Sequence, residues 1–435
     1  MSRLRITSAS MLLAVLVSSS IHADERDKPL VVKPTSESPD RLAERIDTEG
    51  MDKTKTVEDK LSPVTVDKAM LKKDVVTSEA KAESSGAIKP LSVTALVPVE
   101  RGRNDSNPIW YKDASKLSFE RSIQGKKEIL ITSHEGDLLQ KIYVQAAGND
   151  ELAFLLPGVT DAVSYNAGIS WSPNGTQYVF MSNGGEGNYD LYLGNSLNDS
   201  SERLTEYEGK DGQAQWSPTG NELVFVSGRS GSADLFVLDM LSKQTKQLTN
   251  ATSPFLYPEW SPNGKNLAVI NGKNENHDIY LVKDFKNTSD SLLQLTSWDA
   301  DDLRPKWSPD GKKVAFYTNY NEAGDSKIWS IAVVSANRTT TVSEEELINS
   351  IVAVNVVPAV ERGPAWLPDS ERLAYVKNSR QDYNPIYIAN INDGSSVKLL
   401  TETRMNHDVS CSSTGVLAFR AQVEQWDQIY LAKMP

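Results

Sequence analysis

The chain has 435 residues, 39% of them hydrophobic, a formal net charge of −12 and a sequence pI near 5.0. That acidity argues against a role built on phosphate-backbone attraction, which needs a basic face, so no nucleic-acid partner is expected. The one cysteine, Cys411, excludes an intramolecular disulfide framework, and stability has to come from packing and strand pairing.

Met1 to Ala23 reads as a secretory signal: Arg3 and Arg5 give a basic start, Met11 to Val17 an apolar run, and Ile21-His22-Ala23 a small-residue exit. No cysteine follows the apolar run to carry a lipid, and no later stretch of about 20 residues is apolar enough to span a bilayer. The expectation is a periplasmic or secreted protein. Residues 24–90 hold no Phe, Tyr or Trp and are dominated by charged residues, Ser, Thr and Pro, a composition that predicts a disordered tether. A segment that folds on meeting a partner is the alternative. Leu91 to Val97 is the first stretch with strand-like alternation.

Beyond it the chain repeats. Trp171-Ser172-Pro173-Asn174-Gly175 recurs as Trp216-Ser217-Pro218-Thr219-Gly220, Trp260-Ser261-Pro262-Asn263-Gly264 and Trp307-Ser308-Pro309-Asp310-Gly311, at a spacing of 44–47 residues. Such a period marks stacked or radially repeated units. Each unit reads as a strand ending in Trp, a tight turn, an apolar strand, a polar loop, a second apolar strand with an aromatic, and an outer strand running into Leu-Thr, as at Leu204-Thr205 and Leu248-Thr249. Proline sets φ for the turn and glycine accepts positive φ without steric cost. Tryptophan, recurring at one place in the repeat, is a wedge between units. Two units are degenerate: Ala365-Trp366-Leu367-Pro368-Asp369-Ser370 keeps Trp and Pro, and Ser410-Cys411-Ser412 puts Cys411 where Trp would stand, which makes Cys411 a packing residue.

The first unit lacks Trp-Ser-Pro, and Leu117 to Ile123 is assigned as its inner strand with Leu152 to Leu156 as its outer one, so that the blades begin near residue 115. The last unit has no outer strand of its own before Pro435, and Leu91 to Val97 would supply it from the other end, closing the ring. The fold expected over 91–435 is all-β: a β-propeller of four-stranded antiparallel blades, seven in number with six as the alternative.

The Trp-Ser-Pro-Asn/Asp-Gly turns, Lys312-Lys313-Val314-Ala315-Phe316, Asp-Leu-Tyr or Asp-Ile-Tyr, and the closing Leu-Thr resemble the TolB-like propeller-repeat family (PD40, WD40-like) over roughly 115–435. The resemblance implies a periplasmic envelope protein with a protein partner, Pal in the family's type member. That member carries a small α/β domain and six blades, and this chain departs on both counts. Related repeats also occur in peptidase propellers and in an oligogalacturonate-lyase family, so the fold leaves function open.

No nucleophile elbow is present; Gly228-Arg229-Ser230-Gly231-Ser232 has the wrong spacing and falls in a loop. His134, His277 and His407 lie in different units, without local metal-ligand spacing. The acidic run Asp299-Ala300-Asp301-Asp302 is a calcium candidate, although Arg304 and Lys306 nearby would neutralise it and the EF-hand pattern is absent; no cofactor is otherwise indicated. The loops leading into the inner strands should gather on one face at the channel mouth. They carry Tyr165, Tyr207, Asp211, Tyr257, Trp298, Asp301, Asp302, Arg304, Arg362 and His407, together with Phe255 and Met405, a composition suited to binding a partner. Trp307 to Trp366 is longer than the other units, and Ser343-Glu344-Glu345-Glu346 has capping-box spacing for a short helix that packs on its own blade or docks a partner. These readings converge on an exported, non-enzymatic scaffold that binds a protein of the cell envelope. The alternative is a carbohydrate-active or peptide-hydrolysing enzyme with its site at the channel mouth.

Overall fold

The structure, a computed structural model, describes residues 83–435 apart from 99, 125, 145–164, 185–187, 274–275, 287–291, 322–323 and 380. The expected export signal, the tether as far as residue 82, and the outer strand assigned to Leu152–Leu156 lie outside these residues.

Seven antiparallel sheets form the blades of a propeller. The turn chemistry is as the sequence requires: the N–H of Gly175, Gly220, Gly264 and Gly311 each donates to the carbonyl of the signature serine at 2.8–3.0 Å, with φ between 67° and 80°, a region glycine enters freely. The Leu-Thr ending has a local cause too. Thr249 Oγ1 accepts the Leu235 N–H at 2.9 Å and donates to Asp234 at 2.9 Å, and Thr205 and Thr296 accept from Leu191 and Ile279 in the same way. It clips the outer strand to the start of the third.

Three of the wedge tryptophans also hydrogen-bond across the blade boundary. The Nε1–H of Trp260, Trp307 and Trp366 donates to the carbonyls of Gln215, Glu259 and Lys306 at 3.1–3.2 Å, in each case the residue just before the Trp of the preceding blade. Cys411 takes that place in the last blade, partly buried against core residues, and enclosure pushes its thiol up to about 12, as befits a packing residue.

The first blade is framed one strand earlier than assigned. Its inner strand is Arg103–Trp110, Lys116–Ile123 is the second, Lys126–Ser133 the third and Leu138–Ile142 the outer one. Trp110-Tyr111-Lys112-Asp113-Ala114 forms the turn, with the Ala114 N–H on the Tyr111 carbonyl at 2.9 Å, so the turn is present with the signature's Trp but without its Ser, Pro and Gly. At the other end, β2 (Ser92–Ala95) pairs antiparallel with Trp426–Lys433 and is the outer strand of the seventh blade. Ahead of it, β1 (Glu83–Ile88) adds a parallel fifth strand to Ser396–Leu399 of the sixth blade.

The long fifth unit contains α1 (Glu344–Ser350), whose capping box between Ser343 and Glu346 is complete. Leu347 is fully buried in a core cluster shared with the fourth blade, so this helix packs on the propeller. Among the described residues no helix is long and apolar enough to cross a membrane.

Candidate functional site

Every inner strand except the short Ala365–Trp366 carries a bulge, and the residue at it has positive φ: Asn107, Gly168, Gln213, Tyr257, Arg304 and Asp408, at 50–69°. Each stands three residues before the signature Trp or its Cys411 replacement. A bulge re-aims a side chain, and five of these six positions line an axial cavity of about 580 Å³. In the sixth blade the equivalent residue is Gly363, where a Cβ would lie 2.4 Å from the Arg304 carbonyl oxygen; only glycine fits.

Around this ring a polar network is fixed. Glu120 accepts from Asn107 Nδ2 at 2.8 Å and the Gly168 N–H at 3.0 Å through one oxygen, and from Lys127 Nζ at 2.7 Å through the other. Lys127 also donates to the Tyr165 hydroxyl at 3.2 Å. Burial would lower the lysine's pKa, but the Glu120 carboxylate overcomes it and the net shift is upward. Arg362 donates to the Pro108 carbonyl and to Asn107 Oδ1, tying the sixth blade to the first; its enclosure lowers its pKa.

The Arg304 guanidinium lies over the Tyr257 ring, 3.2 Å from the centroid, and donates to the Val360 carbonyl. Burial pushes the Tyr257 hydroxyl up to about 12 although Arg304 pulls it down. Glu361 faces the same cavity; its enclosure raises its pKa against the opposing pull of Arg304.

Of the residues expected at the channel mouth, Tyr165, Tyr257, Arg304 and Arg362 therefore meet at one cavity. Tyr207 is 57% exposed and covers the Arg229 guanidinium at 4.0 Å. Asp211 and Asp302 are fully buried. Asp211 pairs with Arg229 at 2.8 Å, and burial raises its pKa. Asp302 has no such cation, and burial pushes its carboxyl up to about 7 against the lowering influence of Thr318, Thr296 and Trp298. Trp298 packs against the core, edge-on to Tyr320. Asp301 meets His277 Nδ1 at 2.8 Å, and Asp299 accepts from Asn276 at 2.8 Å, so the acidic run enters three separate environments. His407 is partly buried, and burial followed by Arg420 lowers its pKa. Among the described residues no three His, Cys, Asp or Glu side chains come together as a metal site. The sequence reading missed Asn107, Glu120, Lys127, Gln213 and Glu361. Counting three back from each Trp would have found Asn107 and Gln213.

The family model described as the TolB beta propeller domain, PD40, matches residues 157–340. Over that stretch the propeller resembles the TolB-like family. Among solved structures, this TolB-like propeller is similar to TolB from Acinetobacter baumannii, at 17% identity and a TM-score of 0.45 over 71% of this chain and 66% of that one. It is also similar to an oligogalacturonate lyase in complex with manganese, at 13% identity and a TM-score of 0.54 over 81% and 95% of the two chains. The oligogalacturonate lyase of Vibrio parahaemolyticus gives 12%, 0.53, 79% and 93%. At these identities the likeness is one of fold. No curated protein matches the sequence.

Proposed function

We propose that this TolB-like propeller is an exported, non-catalytic scaffold that binds a protein partner of the bacterial envelope through its channel-mouth face. The observation that carries the reading is the character of the cavity: tyrosines and arginines line it, while its principal acid–base pair, Glu120 and Lys127, is tied into four hydrogen bonds. Rigid aromatic and arginine side chains are what binding surfaces concentrate. Tyr207, Tyr383 and Met405, exposed in loops on the same side as the inner-strand entrances, extend the surface. Export rests on Met1–Ala23, and Pal-like partners on the family likeness. The test is a photo-crosslinking amino acid placed at Tyr207 or Met405, and as control at Asn221 or Lys312 in the hairpin turns of the opposite face. Adducts to one protein from the loop face only are expected; equal labelling of both faces, or none, refutes the reading.

Glu361 supports a second reading, an enzyme at the channel mouth, because a carboxyl with a raised pKa beside an arginine is the chemistry of a general acid. Turnover of a polysaccharide or peptide that disappears in Glu361→Gln would favour it. Asp302, fully buried, has no access to a substrate.

A further inference from the structure

The chain is acidic overall, yet the wall of the axial cavity is not. Glu259 is neutralised by Lys306, and Glu120 by Lys127. What remains on the lining is Arg304, Arg362 and, in a hairpin turn at the end away from the channel mouth, Lys112, against the carboxylate of Glu361. Surplus positive charge between low-dielectric walls focuses the field on an entering anion.

The two arginines also have unused donors. Arg304 is only 6% exposed, and while its Nη2 reaches Val360, its Nη1 is buried with no acceptor among the described residues. Arg362 spends both terminal nitrogens on Pro108 and Asn107, and its Nε is buried without an acceptor. A buried guanidinium N–H without a partner is costly, and the Tyr257 stack together with the Asn107 contact holds both groups where they are. Such fixed donors suit an acid group, which accepts charge-assisted hydrogen bonds.

We propose that the axial cavity is a carboxylate-binding site in which Arg304 and Arg362 hold the acid group and the rings of Tyr165 and Tyr257 bound the rest of the ligand. Its volume of about 580 Å³ is that of a small-ligand site. The carboxylate has two sources: a free small organic acid, or the Asp or Glu side chain of a partner reaching into the mouth. Only the second rests on the protein-binding reading above.

The experiment is calorimetric titration of the full chain with succinate, with citrate, and with a blocked Gly-Glu-Gly peptide against its Gln counterpart. Binding of at least one acid is expected, weakened about tenfold or more by Arg304→Gln and by raising salt from about 50 to about 500 mM. Glu361→Gln, which removes the one opposing charge, should tighten binding several-fold, an effect that a misfolded variant would not produce. Binding of the free acids points to a small-molecule ligand, and binding of the Glu peptide but not the Gln peptide points to a partner side chain. No binding of any probe at about 10 mM, or binding that neither substitution alters, overturns the site. Crosslinking to a protein at Tyr207 would survive that failure, and carboxylate binding would survive a failure of crosslinking, so the two readings fall separately.

Discussion

Trp307 Nε1 donates to the Glu259 carbonyl at 3.1 Å, across the boundary between the fourth and fifth blades. The indole thus fills the wedge and satisfies a backbone acceptor of the neighbouring inner strand, whereas the Nε1 of Trp216, equally buried, has no acceptor among the described residues. Trp→Phe at either position removes similar volume, but only at 307 does it orphan a carbonyl. Trp307→Phe should therefore cost about 1 kcal/mol more than Trp216→Phe in urea denaturation. Equal costs would mean that the wedge, and not the hydrogen bond, is the whole role.

Asp302 and Asp211 occupy the same place, five residues before a signature Trp, but only Asp211 has an arginine. Burial holds the Asp302 pKa at about 7, above its ordinary value of 3.8. The native protein then keeps a proton that the unfolded chain has released, so this residue's contribution to stability falls as pH rises from about 4 to about 7 and stays low beyond. Asp302→Asn has no such titration. Its stability relative to the parent should rise by about 2 kcal/mol between pH 5 and pH 8, read as the difference between two urea curves at each pH. A difference independent of pH would show that the carboxyl is ionised in the fold.

The Trp-Ser-Pro repeat made the blades countable because its turn needs particular backbone angles, and those angles need Pro and Gly. Where the turn is built without them, at Trp110-Tyr111-Lys112-Asp113-Ala114, the frame of the first blade slipped by one strand. The cavity ring was harder to see. Bulge position, not residue type, places its members, so Asn107, Gln213, Tyr257 and Arg304 share nothing but their distance from a Trp. Glu120 and Lys127 come from the second and third strands of the first blade; packing of the second blade beside the first brings Lys127 to Tyr165, and only the closed ring brings Arg362 to Asn107 of the same blade. Asp211 and Asp302 look alike in sequence, and what separates them is an arginine 18 residues away in one blade and missing from the other.

Ala114 holds φ at 63°, the place that glycine fills in five other turns, at Gly175, Gly220, Gly264, Gly311 and Gly415. A Cβ in the left-handed region costs about 1 kcal/mol, and the turn hydrogen bond to Tyr111 uses backbone atoms only. Ala114→Gly should raise stability by about 0.5–1 kcal/mol, offset in part by the greater freedom of glycine in the unfolded chain. A measured loss would place the strain elsewhere in the hairpin.

Leu96 follows directly on β2 and is 5% exposed, in a cluster that joins Leu117, Phe119 and Leu130 of the first blade to Ala418, Ile429 and Leu431 of the seventh. Its N–H donates to the Ile429 carbonyl at 2.8 Å. One side chain therefore seals the seam at which the ring closes, where strands from opposite ends of the chain meet. Leu96→Ala leaves that backbone bond intact but opens a cavity on both sides of the seam, and should cost about 2–4 kcal/mol. Closure by a remote strand also makes the loss cooperative: amide hydrogen exchange should quicken in Lys116–Ser133 and in Trp426–Lys433 together, while the blade at Asp211–Gln247 keeps its protection. Faster exchange confined to Ser92–Ala95 would show instead that the first and seventh blades hold together without the strand that closes them.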